Sequence, residues 1–148
     1  MHIRRLVEQD REQYLALVQA FYTSPAVLHD VPKQYFIDTF EEILRSDMYV
    51  DGFFMEMENG EIAGYAVASK MFSQECGGLS VWLEELSVLP QYQNQGIGKA
   101  FFDFVVSYYP TCKRFRLEVE RDNHLAIALY ERLGYSEMPY YQMVRDMH

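Results

Sequence analysis

The sequence predicts an α/β fold (α+β by another naming): a mixed central sheet of about six to seven strands with helices on both faces. Three observations predict it. Apolar residues recur at helical spacing in two early segments, 10–21 and 32–44. Strand-like runs then follow one another, 48–57, 62–71 and 79–89, with Asn59-Gly60 as a hairpin signal between the first two. The second half alternates strand, helix, strand and helix, the order of crossover units.

Each element has a local reason. His2 to Val7 is short and apolar at intervals, a first strand. Asp10 stands where an N-cap is wanted, ahead of Tyr14, Leu15, Leu17, Val18 and Phe21. Ser24-Pro25 stops that helix, and Pro32 opens a second one burying Phe36, Ile37, Phe40, Ile43 and Leu44. Gly77-Gly78 lies in a loop before the strand that Pro90 ends. A helix runs from Gly96 to about Tyr109, a strand from Arg114 to Glu120, and a helix from Asn123 to Leu133, closed by Gly134. The tail from Tyr135 to Met147 reads as one or two final strands.

Composition excludes several function classes. The 148 residues suit a single domain, 1–148, large enough to fold without a disulfide or metal staple. Cys76 and Cys112 read as free thiols, and they lack zinc-ligand spacing with the four histidines, so no metal is expected. The net charge of −9 argues against nucleic acid, whose binding rests on Lys and Arg. No apolar run is long enough for a membrane span and no signal peptide is evident, so a cytoplasmic location is expected. Between Asp30 and Glu61 nine acids meet only Lys33 and Arg45. That stretch is either a solvated face or a surface that attracts a cationic substrate. Tyr22, Tyr35, Phe36, Phe40, Tyr49, Phe53, Tyr65, Phe72, Trp82, Tyr140 and Tyr141 supply core, with some left to line a pocket or a homodimer seam.

The chemistry concentrates at Gln93-Asn94-Gln95-Gly96-Ile97-Gly98-Lys99, between a strand and a helix. Backbone N–H groups at such a junction, with the helix dipole, form an anion site suited to a pyrophosphate. Glycine at 96 and 98 lets phosphates approach the backbone. Neither the P-loop nor the full dinucleotide-binding pattern fits this spacing.

Leu86-Ser87-Val88-Leu89-Pro90 followed by Gln93 to Gly98, and then Asn123, Ala126, Leu129, Tyr130, Gly134 and Tyr135, resemble the two signatures of the GNAT superfamily of acetyl-CoA-dependent N-acetyltransferases. The resemblance covers about 48–147. Gln93 and Asn94 depart from it, standing where Arg-Gly is the commonest pair. Glu84-Glu85 looks like the acidic pair of the spermidine/spermine acetyltransferases.

The resemblance implies a splayed sheet and transfer of acetyl from acetyl-CoA to a primary amine by direct attack in a ternary complex. It implies that the backbone of Leu86, Ser87 and Val88 and the loop 93–99 hold the co-substrate, with Asn123 capping its helix and bonding the cofactor arm. Tyr130 becomes the general acid for the leaving thiolate and Glu84 the better base candidate. Neighbours on a regular strand point to opposite faces, so one of Glu84 and Glu85 is expected to face the cleft. Glu118 shares a strand face with Glu120 and is either a second cleft carboxylate or an ion-pair partner of Arg116 or Arg121. His29 and Asp30 fall where the superfamily builds its acceptor site. A small cationic amine is the expected acceptor. A protein N-terminus or lysine, and a non-catalytic acyl-CoA-binding module, are the alternatives.

Overall fold

β1 (His2–Arg5) begins a five-stranded sheet in a computed structural model that describes residues 1–25, 27 and 29–147. α1 (Arg11–Tyr22) and α2 (Lys33–Arg45) follow, then β2 (Val50–Glu56), β3 (Ile62–Ser73), β4 (Gly78–Val88), α3 (Ile97–Tyr108), β5 (Arg114–Arg116) and α4 (His124–Arg132). The strands lie in chain order, antiparallel from β1 to β4, with β5 parallel to β4. The chain divides into two compact units, Met1–Glu118 and Val119–His148.

In the first unit both faces of the sheet are covered. Phe54, Tyr65 and Val67 pack with Tyr14, Val18, Phe36, Phe40 and Ile43 of α1 and α2. Phe53, one residue from Phe54 and so on the opposite face, sets its ring 6.0, 5.4 and 5.0 Å from those of Phe101, Phe104 and Tyr108 on α3. This double cover explains why Asp51 to Met55 and Ile62 to Val67 are buried without alternation. Asp51, buried on β2, is held by Arg5 at 3.0 Å, Lys70 at 2.8 Å and the Tyr109 hydroxyl at 2.6 Å.

The sequence expectations need four corrections. The sheet has five strands, not six or seven. No strand forms among residues 135–147, although the tail alternates in a strand-like way. Tyr141 and Met143 there are 92% and 90% exposed, and a strand pattern is stable only against a partner strand and a packed face. β5 stops at Arg116, so Glu118 and Glu120 lie beyond it rather than on it. Asp10 occupies the N-cap position of α1 without capping it. Its carboxylate instead accepts the Val7 N–H at 2.8 Å and hydrogen bonds from both terminal nitrogens of Arg4 at 2.8 and 3.0 Å, because a charged guanidinium is the stronger donor.

The β3–β4 ladder contains the feature that shapes the site. Val67 pairs with Glu85 and Ala68 with Leu83, leaving Glu84 as an extra residue, a β-bulge. Beyond it Gly64 faces Val88, and a Cβ at Gly64 would stand 2.2 Å from the Ser87 carbonyl oxygen, so no side chain fits there. The β4–β5 ladder covers only Ser80 to Trp82. From Leu83 to Val88 the outer edge of β4 has no partner strand among the described residues, an opening of the kind a splayed sheet requires.

In the second unit α4 starts at Asn123, whose side chain accepts the Ala126 N–H at 3.2 Å. It ends at Gly134, with φ of 97°, where the Tyr135 N–H reaches the Tyr130 carbonyl at 3.0 Å.

Candidate active site

The loop between β4 and α3 is built by backbone rather than by side chains. Pro90–Tyr92 makes one 3₁₀ turn, Gln93 is extended, and Asn94 and Gly96 both have left-handed φ, 62° and 79°. α3 then begins at Ile97 with no side chain capping it. The amides of its first turn, Ile97, Gly98 and Lys99, therefore lack the intrahelical partners that later amides have. The Gln93 amide donates to the Val88 carbonyl at 3.0 Å and the Gln95 amide to Gln91 at 3.3 Å, which ties the loop to the end of β4. Lys99 is paired with Asp103 at 2.7 Å, one helical turn on. A Cβ at Gly96 would meet nothing within 4 Å, and one at Gly98 only Leu86 Cδ2 at 4.0 Å. Open space therefore stands in front of the helix entry. Uncapped N–H groups with room before them fit an anionic group such as a pyrophosphate.

The bulge overturns the expectation that Glu84 and Glu85 face opposite ways. Glu84 accepts the Ser69 hydroxyl at 2.7 Å and Glu85 accepts the Tyr65 hydroxyl at 3.0 Å. Tyr65 and Ser69 are four residues apart on β3 and share a face, so both carboxylates lie on the α1–α2 face. Their surroundings differ. Glu84 is exposed and lines a cleft of about 300 Å³ with Ser69, Lys70, Met71, Trp82 and Glu118. Glu118 lines this cleft from two residues beyond the end of β5. The Arg116 guanidinium lies 4.1 Å from the centre of the Trp82 ring, and Arg121 pairs with Glu137 at 3.6 Å.

Glu85 sits deeper. Tyr22, the last residue of α1, donates to one carboxylate oxygen and Tyr65 to the other. Burial pushes the Glu85 carboxyl above the ordinary glutamate range; the two phenol hydrogen bonds oppose that shift and the neighbouring Glu84 charge adds to it. Burial and Glu85 together push the Tyr22 and Tyr65 phenols upward. Tyr22 also lines a second cleft, of about 380 Å³, with Thr23, Ser24, Val27, His29 and Asp30. His29 and Asp30 are therefore beside the carboxylate pair's phenol and not beside Glu84's cleft.

On α4, Tyr130 is half-buried with its ring 6.2 Å from that of Tyr135, and burial raises its phenol. Asn123 performs the capping expected of it. Ion pairs take up four of the nine acids of the stretch 30–61. Glu41, Asp51 and Glu56 are paired with Arg11, with Arg5 and Lys70, and with Arg4, all from outside the stretch, and Glu42 is paired with Arg45. Sequence reasoning missed Ser69 and the Tyr22–Glu85 pairing. The two partners are 63 residues apart, and no local pattern links them. Cys76 and Cys112 are free thiols. Among the described residues no group of three or more His, Cys, Asp or Glu could hold a metal ion, and no helix is long and apolar enough to cross a membrane.

Comparison with known proteins gives a family and a fold. A family model described as "Acetyltransferase (GNAT) family" matches residues 12–135. The chain is 31% identical over 112 residues to thialysine N-epsilon-acetyltransferase of Mus musculus, covering 66% of this chain and 65% of that protein. It is 31% identical over 86 residues to [ribosomal protein bS18]-alanine N-acetyltransferase of Escherichia coli K12, covering 57% and 54%. It is 27% identical over 81 residues to spermine/spermidine N(1)-acetyltransferase of Bacillus subtilis strain 168, covering 51% and 53%. The matches thus span between half and two thirds of these relatives' lengths. A solved structure of a possible acetyltransferase from Clostridium difficile 630 superimposes with a TM-score of 0.84 at 16% identity, over 99% of this chain and 97% of that one. AAC(6')-Iy in complex with the bisubstrate analogue CoA-S-monomethyl-acetylneamine gives 0.78 at 22% identity, over 99% and 98%. At these identities the likeness is one of fold.

Proposed function

Because the chain belongs to the acetyltransferase (GNAT) family, we propose that it transfers an acetyl group from acetyl-CoA to the primary amine of a small cationic acceptor, by direct attack in a ternary complex. The observation that carries this reading is the β4 bulge. It sets Glu84 and Glu85 on one face, at the point where β4 loses its outer partner strand, in the same strand that runs into the loop before the uncapped helix entry.

In this reading the amides of the loop 93–99 hold the pyrophosphate, and the unpaired backbone edge at Leu86, Ser87 and Val88 holds the pantetheine arm. One preorganised N–H at the thioester oxygen contributes roughly 3 kcal/mol to lowering the barrier. Glu84, exposed beside Trp82 and Glu118, draws in the cationic acceptor, since carboxylates and an aromatic ring together suit a cation. Tyr130 donates the proton to the leaving thiolate and Asn123 bonds the cofactor arm, as the family resemblance implies. The relatives named for thialysine and for spermine and spermidine support an amine acceptor. The relative named for a ribosomal-protein alanine supports a second reading, a protein N-terminus.

Thermal melting with and without acetyl-CoA tests the binding half. At about 100 times its dissociation constant the ligand adds roughly 2.7 kcal/mol, which for a chain of this length raises the melting temperature by several degrees. Gly98→Trp, placed where a Cβ meets open space, should keep the fold and abolish the shift. No shift in the unaltered protein at millimolar acetyl-CoA overturns the reading. CoA release with thialysine, spermidine and an alanine-starting peptide then separates the two acceptor classes.

A further inference from the structure

The sequence resemblance makes Glu84 the better base candidate and gives the buried Glu85 beside it no part in the proton transfer. Resting on the acetyl-transfer reading above, we propose that Tyr22 and Glu85 form the proton relay that neutralises the acceptor amine, Tyr22 passing the proton on and Glu85 receiving it.

The geometry supplies each part. Tyr22 lines the cleft at the end of α1, and its hydroxyl already donates to Glu85. Its oxygen keeps lone pairs for a donor arriving from the cleft. The ammonium gives a proton to the Tyr22 oxygen while the phenolic proton moves to the Glu85 carboxylate, so Tyr22 ends neutral and Glu85 protonated. The freed nitrogen lone pair forms the C–N bond to the acetyl carbon as the C–S bond breaks; the departing thiolate takes the Tyr130 proton, and the second N–H proton of the new amide leaves to cleft water, from which Tyr130 is reprotonated. Glu85 then returns its proton to cleft water by the same path.

A neutralising base is needed because an alkylamine, with a pKa near ~10.4, is almost wholly protonated at neutral pH. Two neighbouring carboxylates in unlike surroundings divide such work, and the buried one is suited to exchange a proton. The groups facing Glu85 are Tyr14 and Tyr22 of α1, Tyr65 of β3 and Glu84 of β4, none of them a cation that would hold Glu85 ionised. The upward shift of Glu85 by burial agrees with this role. The cleft adds His29 and Asp30 near Tyr22.

The test uses the whole chain, acetyl-CoA, and spermidine or thialysine as acceptor, with Tyr22→Phe, Glu85→Gln and the double variant. Each single variant should lose about 10²-fold in kcat/KM for the amine at pH 7, with the acetyl-CoA KM unchanged. The loss should shrink as the pH nears that of the free amine, about 10, where no relay is needed. The double variant should fall no further than either single one. A proton inventory in mixed H₂O and D₂O should be curved for the unaltered protein, two protons being in flight, and linear for Tyr22→Phe. Wild-type kcat/KM in Tyr22→Phe, or a loss that does not change with pH, overturns the relay while the acetyl-transfer reading stands. An unaltered protein that acetylates none of the amines overturns that reading and the relay with it. Should Tyr22→Phe fail to fold, the pH profile of Glu85→Gln decides.

Discussion

Asn94 is the one described non-glycine residue with a left-handed φ. The family resemblance marks it as a departure, since Gly is common there, and the backbone supplies the reason for both residues. A φ of 62° crowds most β-carbons, costing roughly 1–2 kcal/mol, but asparagine visits this region more readily than other side chains. Asn94→Gly should therefore hold or raise the melting temperature and leave acetyl-CoA binding intact, whereas Asn94→Val should lower stability by about 1–2 kcal/mol. Melting with and without acetyl-CoA checks both. A clear drop for Asn94→Gly would show that the amide side chain itself holds the turn. Gly64 is constrained differently. Its φ is ordinary, but its neighbour is the backbone of β4, which cannot swing aside as a side chain can. Gly64→Ala should cost about 1–3 kcal/mol and lower the melting temperature by several degrees.

At the scale of elements, the proposed mechanism draws its general acid, Tyr130, from α4. Tyr130 is half-buried, and burial keeps its phenol protonated at neutral pH, the form a general acid needs. Tyr130→Phe should lower turnover about 10²-fold with little change in acetyl-CoA affinity. Equal turnover would assign the ring to its contact with Tyr135 alone. Legibility also divides by element. Both early helices, the β2–β3 hairpin around Asn59-Gly60 and the glycine at the entry of α3 are local signals, and they lie where the sequence places them. The bulge at Glu84 was not legible, because register is a relation between β4 and β3 that neither strand carries by itself. The tail misled for the same reason. Tyr140 to Val144 has the composition of a strand, and composition does not supply a partner. Tyr22's bond to Glu85 joins an α1 terminus to a β4 bulge, so it became visible only with the fold.

Over the whole molecule the charge is less one-sided in effect than in sum. Arg4, Arg5, Arg11 and Lys70 pair with acids of the 30–61 stretch, and the acids that line the two clefts are Asp30, Glu84 and Glu118. Two carboxylates then act on stability with opposite signs. Burial pushes the Asp10 carboxyl up, but the Arg4 guanidinium and the Val7 N–H outweigh it, and Asp10 titrates below the ordinary aspartate range. Its contribution is present above the unfolded pKa, about 3.9, and is lost as the pH falls through the depressed folded value. Glu85 is shifted upward, so the folded state binds its proton more tightly than the unfolded state does. The stability it lends is present below the unfolded value, about 4.3, and is lost as the pH rises through the raised folded value. Ionisation of Glu85 therefore works against the fold. Glu85→Gln, which keeps the size and one acceptor oxygen for the phenols, should raise the melting temperature near pH 7. That gain should disappear below about pH 4, where Glu85 is protonated in both states. Melting curves between pH 4 and 8 measure it, set beside the loss of kcat/KM expected of the same variant. A gain in stability coupled to a loss of activity is the pattern of a group retained for its chemistry at the expense of the fold. If Glu85→Gln instead melts lower at pH 7 and higher or equal at pH 4, Glu85 is a structural anion whose two phenol hydrogen bonds outweigh its burial.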